Sequence, residues 1–141
     1  MITDKTKNHF FNRISGHEYH ALVNRVSWAL FSILKINKKD KVQFIAMPSF
    51  ICHSMVFSVI KSGWKIRFLD VDFNTGMVPY RNYVNAIEDG CDAILFVHLL
   101  GNENEIKDLQ SRCDKKNVTL IEDAAQFYSK NNNLWQQNSS K

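Results

Sequence analysis

Apolar positions recur at helical spacing from Ala21 to Leu34, where Leu22, Val26, Ala29, Leu30, Ile33 and Leu34 would share one side of a helix. Asn37–Asp40 reads as a turn, and Val42–Met47 ("VQFIAM") predicts a strand that Pro48 stops, because proline brings no N–H to a ladder. Helical spacing returns over Cys52–Lys61 through Met55, Val56, Val59 and Ile60, closed by Ser62–Gly63. Lys65–Asp72 predicts a second strand, and Phe73–Gly76 has turn chemistry. Pro79 suits a first helical turn, where its missing N–H would have no partner anyway, and that helix should run to about Glu88. Asp92–Leu100 is the most continuous apolar run, as expected of a strand covered on both faces. Glu103–Lys116 predicts an amphipathic helix with Ile106, Leu109 and Cys113 on one side, closed by Asn117, and Val118–Ile121 is the last strand.

Strand and helix thus alternate four times, which predicts an α/β fold of three layers around a mostly parallel sheet with βα crossovers. The expected organisation is an N-terminal arm over 1–20, a body over 21–126 and a polar tail over 127–141 whose only large apolar residues from Ser129 onward are Leu134 and Trp135. There is no internal repeat. A chain of 141 residues has room for one core, and 45% hydrophobic against 23% charged residues is globular rather than disordered composition. No apolar run reaches the roughly 20 residues that span a bilayer, and the N-terminus shows no secretory pattern, so no membrane partner is expected. Cys52, Cys91 and Cys113 are an odd set without a CxxC, which suggests neither a disulfide framework nor a zinc ribbon and makes the cytoplasm the expected compartment. The net charge of +4 comes from dispersed lysines, not an aromatic-laced basic stripe, so no nucleic-acid partner is expected either.

Ligands of open α/β sheets bind beyond the carboxyl ends of the strands. Those ends offer Pro48–Cys52, Asp70 with Asp72, His98–Asn102 and Glu122–Gln126. Asp70 and Asp72 point to opposite sides of their strand and are expected to cap the turn after it. His98 is expected to be hydrogen-bonded core, and Cys52 a packed thiol, although a helix dipole there could lower its pKa. Glu122 and Asp123 are adjacent, so only one can face a ligand; the pair could hold Mg²⁺, act as acid and base, or simply end the strand.

"VTLIEDAAQ" (Val118–Gln126) resembles the aspartate-bearing strand of the DegT/DnrJ/EryC1/StrS family of pyridoxal-phosphate-dependent sugar aminotransferases. Lys41–Val78 resembles that family's strand, proline-containing turn, helix, Asp-Val-Asp strand and Thr-bearing loop, and "AILFVHLLGNENEIKDL" (Ala93–Leu109) resembles its "VHLYG" strand and following helix. The likeness covers roughly Asn24–Gln126. It implies an incomplete fold type I aminotransferase large domain and pyridoxal 5'-phosphate (PLP) as cofactor. Asp123 would pair with the cofactor's pyridine nitrogen and keep it protonated. Gln126 would meet the phenolic oxygen, and Glu122 would serve structure on the other side. The phosphate turn falls at Asn24–Trp28, where Asn24 and Ser27 stand in a stretch without glycine. Cys52 occupies the position that often stacks a ring on the cofactor, with Phe50 and His53 as neighbours.

The resemblance also implies what should be missing. Relatives carry a lysine well downstream of the aspartate, which holds the cofactor's aldehyde and shuttles a proton. After Asp123 this chain has only Lys130 and Lys141, neither in the expected context, so no catalytic residue and no metal ligand is assigned. Full-length relatives are expected to act as homodimers on a nucleotide-sugar and glutamate. This chain is expected to be a truncated or degenerate member, inactive alone, with an uncovered sheet edge and apolar faces that favour association. The alternatives are a stand-alone α/β binding or regulatory module, or a non-catalytic partner of a full-length aminotransferase.

Overall fold

The computed structural model describes residues 21–101 and 106–126; the expected arm, the expected tail and the start of the helix expected from Glu103 lie outside them. In chain order the elements are α1 (Val26–Ile36), β1 (Phe44–Pro48), α2 (His53–Ser62), β2 (Lys65–Leu69), α3 (Tyr80–Glu88), β3 (Ala93–Val97), α4 (Lys107–Lys116) and β4 (Thr119–Asp123), with a 3₁₀ turn over Leu99–Gly101 between β3 and α4.

The four strands form one sheet in the order β2-β1-β3-β4, and every pairing is parallel. Alternation along the strands sends successive side chains to opposite faces, and the apolar ones separate into two clusters. On one face Leu30 and Leu34 of α1 and Met55 and Val59 of α2 pack against Ile45, Met47, Ala93 and Leu95. On the other, Tyr83, Ala86 and Ile87 of α3 and Leu109 and Cys113 of α4 pack against Ala46, Ile94 and Phe96. This is the three-layer α/β arrangement expected from the sequence. The indole of Trp64 ties α1 to the start of β2 by donating to the Leu34 carbonyl at 2.9 Å. Trp28, Phe57, Ile60 and Phe68 remain exposed on the outer surface of the α1–α2 side.

Several element ends differ from expectation, each for a physical reason. The first helix begins at Val26 rather than Ala21, because Arg25 is extended at φ −150°, ψ 143°. β2 stops at Leu69 rather than Asp72, since Leu69 pairs with Pro48, the last residue of β1. β3 ends at Val97 rather than Leu100, and β4 runs on through Glu122 and Asp123, because the two strands pair as far as Val97 opposite Asp123. The two acids therefore belong to the ladder. Asn117 closes α4 in the left-handed conformation, φ 54°, as its place after the last helical turn suggests.

Candidate functional site

The strand order reverses between β1 and β3: the chain leaves β1 into α2 on one face and leaves β3 toward α4 on the other. The crossovers part there, and the carboxyl ends of the two strands open a crevice. A cleft of about 420 Å³ occupies that position, within the range of roughly 300–1,000 Å³ usual for small-molecule sites. Its walls come from the start of α1 (Arg25, Ser27), the turn into α2 (Phe50, Cys52, Ser54), the end of β3 (Val97, Leu99) and the end of β4 (Asp123, Ala125, Gln126).

Sheet geometry decides which acid faces the cleft. Ile121 packs with the α1–α2 cluster and Leu120 with the opposite one, so Asp123 shares the cleft side and Glu122 turns away. Asp123 Oδ1 accepts a hydrogen bond from the Ala125 N–H at 3.0 Å, which holds the carboxylate at the strand end. Gln126 is oriented by the backbone opposite: its Oε1 accepts from the Leu100 N–H at 3.1 Å. With the amide oxygen engaged, the NH₂ is the end that can donate to a ligand oxygen. Leu100 itself sits in the left-handed region at φ 53°, ψ 31°, a conformation that costs a non-glycine residue about 1–2 kcal/mol.

The helix starts supply the opposite charge. α1 begins without a side-chain cap and without an acid in its first turn, and its N-cap residue is Arg25. A cation at the positive end of a helix dipole is unfavourable unless an anion joins it. Ser27 stands in the first turn and also lines the cleft, whereas Asn24 precedes the helix, is exposed and is not among the lining residues. Arg25 was not singled out by sequence reasoning; its signal is a basic residue where a helix start calls for an acid or a short polar cap. Cys52, the N-cap of α2, is a correction. The thiol is exposed rather than packed, because the turn after Pro48 presents it at the cleft. Its Sγ lies 3.2 Å from Ser54 Oγ, and hydrogen bonds from that hydroxyl and from the Ser54 N–H hold the thiol below its ordinary pKa.

Asp70, Asp72 and His98 are not among the residues that line the cleft. Asp72 Oδ1 accepts from the N–H groups of Asn74 and Thr75, both at 3.0 Å, and so caps the turn as expected, while Asp70 contributes its carbonyl to Asn82. His98 is buried and hydrogen-bonded, with Nε2 2.6 Å from Glu122 Oε1. Among the described residues no group of three or more His, Cys, Asp or Glu could hold a metal, and no helix is long and apolar enough to cross a membrane.

Fold and cleft together define a class: a three-layer parallel α/β protein with a small-molecule site at the switch point, carboxylate on one wall and an electropositive helix start on another. Residues 8–132 match the model of the DegT/DnrJ/EryC1/StrS aminotransferase family. The chain belongs to that family. It is 26% identical over 119 residues to GDP-4-keto-6-deoxy-D-mannose 3-dehydratase of Escherichia coli O55:H7, a match over 80% of this chain and 31% of that protein. The corresponding protein of Yersinia pseudotuberculosis is 27% identical over 119 residues, covering 80% of this chain and 30% of the relative. The chain thus spans about a third of the length of these curated relatives.

Among solved structures, the E. coli GDP-4-keto-6-deoxy-D-mannose-3-dehydratase with bound hydrated PLP superposes with a TM-score of 0.71 at 26% identity, over 84% of this chain and 32% of that one. The aminotransferase from Psychrobacter cryohalolentis reaches 0.76 at 22% identity, over 89% and 32%, and shows the shared fold. These neighbours bear out the incomplete fold type I architecture, and PLP is the cofactor held in the E. coli structure. Relatives include a dehydratase beside aminotransferases, so the family's chemistry is broader than the amino transfer expected from sequence.

Proposed function

We propose that this chain forms the part of a PLP site that holds the cofactor's ring nitrogen, phenolic oxygen and phosphate, in a protein that modifies a nucleotide-linked sugar. The observation that carries the reading is the convergence of Asp123 and Gln126 with Arg25, Ser27 and the uncapped start of α1 on one cleft. These residues suit the cofactor's polar groups. Asp123 is placed to accept from a protonated pyridine nitrogen, and a carboxylate there keeps that proton on. The Gln126 NH₂ can donate to the phenolic oxygen, and Ser27, Arg25 and the first N–H groups of α1 can take a phosphate. Cys52 lies at the position from which a side chain could cover the ring. When bound, PLP supplies an electron sink for a carbanion beside nitrogen.

The names of the relatives point to a nucleoside-diphosphate sugar as substrate class, with glutamate as amino donor where transfer occurs. No lysine is among the described residues that line the cleft. In this reading covalent capture and proton shuttling fall to residues outside those described, in this chain or a partner.

The test is a titration of the full chain with PLP, read by absorbance and by quenching of tryptophan fluorescence, beside pyridoxal and the variants Asp123→Ala and Ser27→Ala. Saturable PLP binding, weaker for pyridoxal and for both variants, is expected. Absence of saturable binding, or binding indifferent to Asp123→Ala and to the phosphate, overturns the reading.

A further inference from the structure

Asp123 is held from behind. His98 is the first residue after β3, is 1% exposed and grips the end of β4 twice. Its N–H donates to the Asp123 carbonyl at 3.0 Å, and its imidazole Nε2 lies 2.6 Å from Glu122 Oε1 on the face away from the cleft. A carboxylate at Glu122 accepts only, so in that bond Nε2 carries the hydrogen. The imidazole is itself fixed. Its ring meets Phe96 edge-on with centroids 5.1 Å apart, and Phe96 tilts against the buried Tyr83 at 5.3 Å.

The geometry points to His98 and Glu122 as positioning residues for Asp123: their bond on the back of the sheet sets the direction in which Asp123 presents its carboxylate to the cleft. The inference rests on the role given to Asp123 above. Adjacent residues of a strand share a peptide and leave it on opposite faces, so a rotation that moves one side chain moves the other. Within the described sheet β4 lies at an edge, and Val97 opposite Asp123 is the last pair of its ladder with β3. Such an end, paired on one side only, is the place where a strand twists most freely. One residue, His98, removes that freedom by bonding both the main chain of Asp123 and the side chain of its neighbour. The arrangement parallels the outer-shell partners that orient ligating groups in other sites, where their loss lowers affinity about 10–100-fold.

The test uses the full chain and two probes, PLP and its 1-deaza analogue, in which a C–H replaces the ring nitrogen. The wild-type chain should prefer PLP by about tenfold or more, the size of one charge-assisted hydrogen bond, and Asp123→Ala should abolish that preference. His98→Leu and Glu122→Ala should each cut the preference at least about threefold while affinity for the 1-deaza probe changes less than about twofold. Glu122→Gln, which keeps an acceptor oxygen for Nε2–H, should retain it. Glu122 is partly exposed, so its variants decide the matter if His98→Leu does not fold. Retention of the wild-type preference in Glu122→Ala, or equal loss of affinity for both probes, overturns the positioning role. A wild-type chain without preference, or an Asp123→Ala variant that keeps it, instead overturns the assignment of Asp123 and the positioning role with it.

Discussion

Asp92 offers a test of the fold that leaves the site alone. It precedes β3 at the end of the sheet opposite the cleft, and it joins three strands. Its Oδ2 accepts from the Phe44 N–H at 3.0 Å, its Oδ1 lies 2.6 Å from Lys41 Nζ, and its carbonyl accepts from the Thr119 N–H at 3.0 Å. The carboxylate is only 17% exposed, whereas the lysine is 58% exposed. A hydrogen bond to a charged group contributes about 1.5–3 kcal/mol, and the exposed lysine adds less than about 1 kcal/mol. Asp92→Ala should therefore cost about 2–3 kcal/mol, most of it from the Phe44 N–H left without its acceptor. Asp92→Asn keeps an oxygen for that N–H and should cost about 1 kcal/mol.

The pH dependence of this loss has a definite sign. Burial pushes the Asp92 pKa up, but the bonds from Lys41 and the Phe44 N–H outweigh burial and hold it below the ordinary carboxylate value. A folded-state pKa below the unfolded one gives stability that is complete above the unfolded value of about 3.9 and is lost as pH falls through the folded value. Urea unfolding of the wild type and both variants, followed by tryptophan fluorescence at neutral pH and near pH 3, measures both effects. A neutral-pH loss below about 0.5 kcal/mol for Asp92→Ala refutes the reasoning, as does a loss equally large in acid. PLP affinity of the folded variants should be unchanged.

Three further outcomes are expected. Iodoacetamide should modify Cys52 of the native chain at neutral pH and spare Cys91, whose pKa burial raises, and Cys113, which burial pushes up to about 11. The Cys52 rate should level off below the ordinary thiol pKa, Ser54→Ala should move that inflection upward, and comparable native labelling of Cys113 would contradict the structure. Leu100→Gly should raise stability by about 0.5–1 kcal/mol by relieving the left-handed φ of an exposed residue, and a net loss on urea titration would show that the leucine side chain matters more than its backbone. The exposed Trp28, Phe57, Ile60 and Phe68 should make the chain self-associate or depend on a partner, which sedimentation can check; a monodisperse, cooperatively melting monomer would refute this.

What the sequence made legible follows from what is local. Helix periods, turn chemistry at Phe73–Gly76 and the buried triad Ile106, Leu109 and Cys113 depend on neighbours a few residues away, and the structure keeps them. Strand ends depend on a partner strand. β4 includes Glu122 and Asp123 because β3 is long enough to pair with them, and no periodicity in Val118–Gln126 contains that length. The strand order 2-1-3-4 is likewise set by which face each crossover covers. The Asp123 and Gln126 positions came from resemblance rather than from pattern, and the structure brings both to one cleft with Ser27 and Cys52. Arg25 escaped notice because a lone arginine is common on surfaces; only its place at a helix start beside the cleft makes it informative.

The cleft takes its walls from stretches near residues 25, 50, 97 and 123, about a hundred residues from first to last. No shorter run of the described chain forms this cleft, so its ligand finds it only once β4 has docked on β3. A ligand that recognises only the assembled chain draws the folding equilibrium toward it by mass action, by about 2.7 kcal/mol at a hundred times its dissociation constant. For a chain of marginal stability, the supply of such a ligand would then govern the folded fraction, and with it the amount that escapes proteolysis.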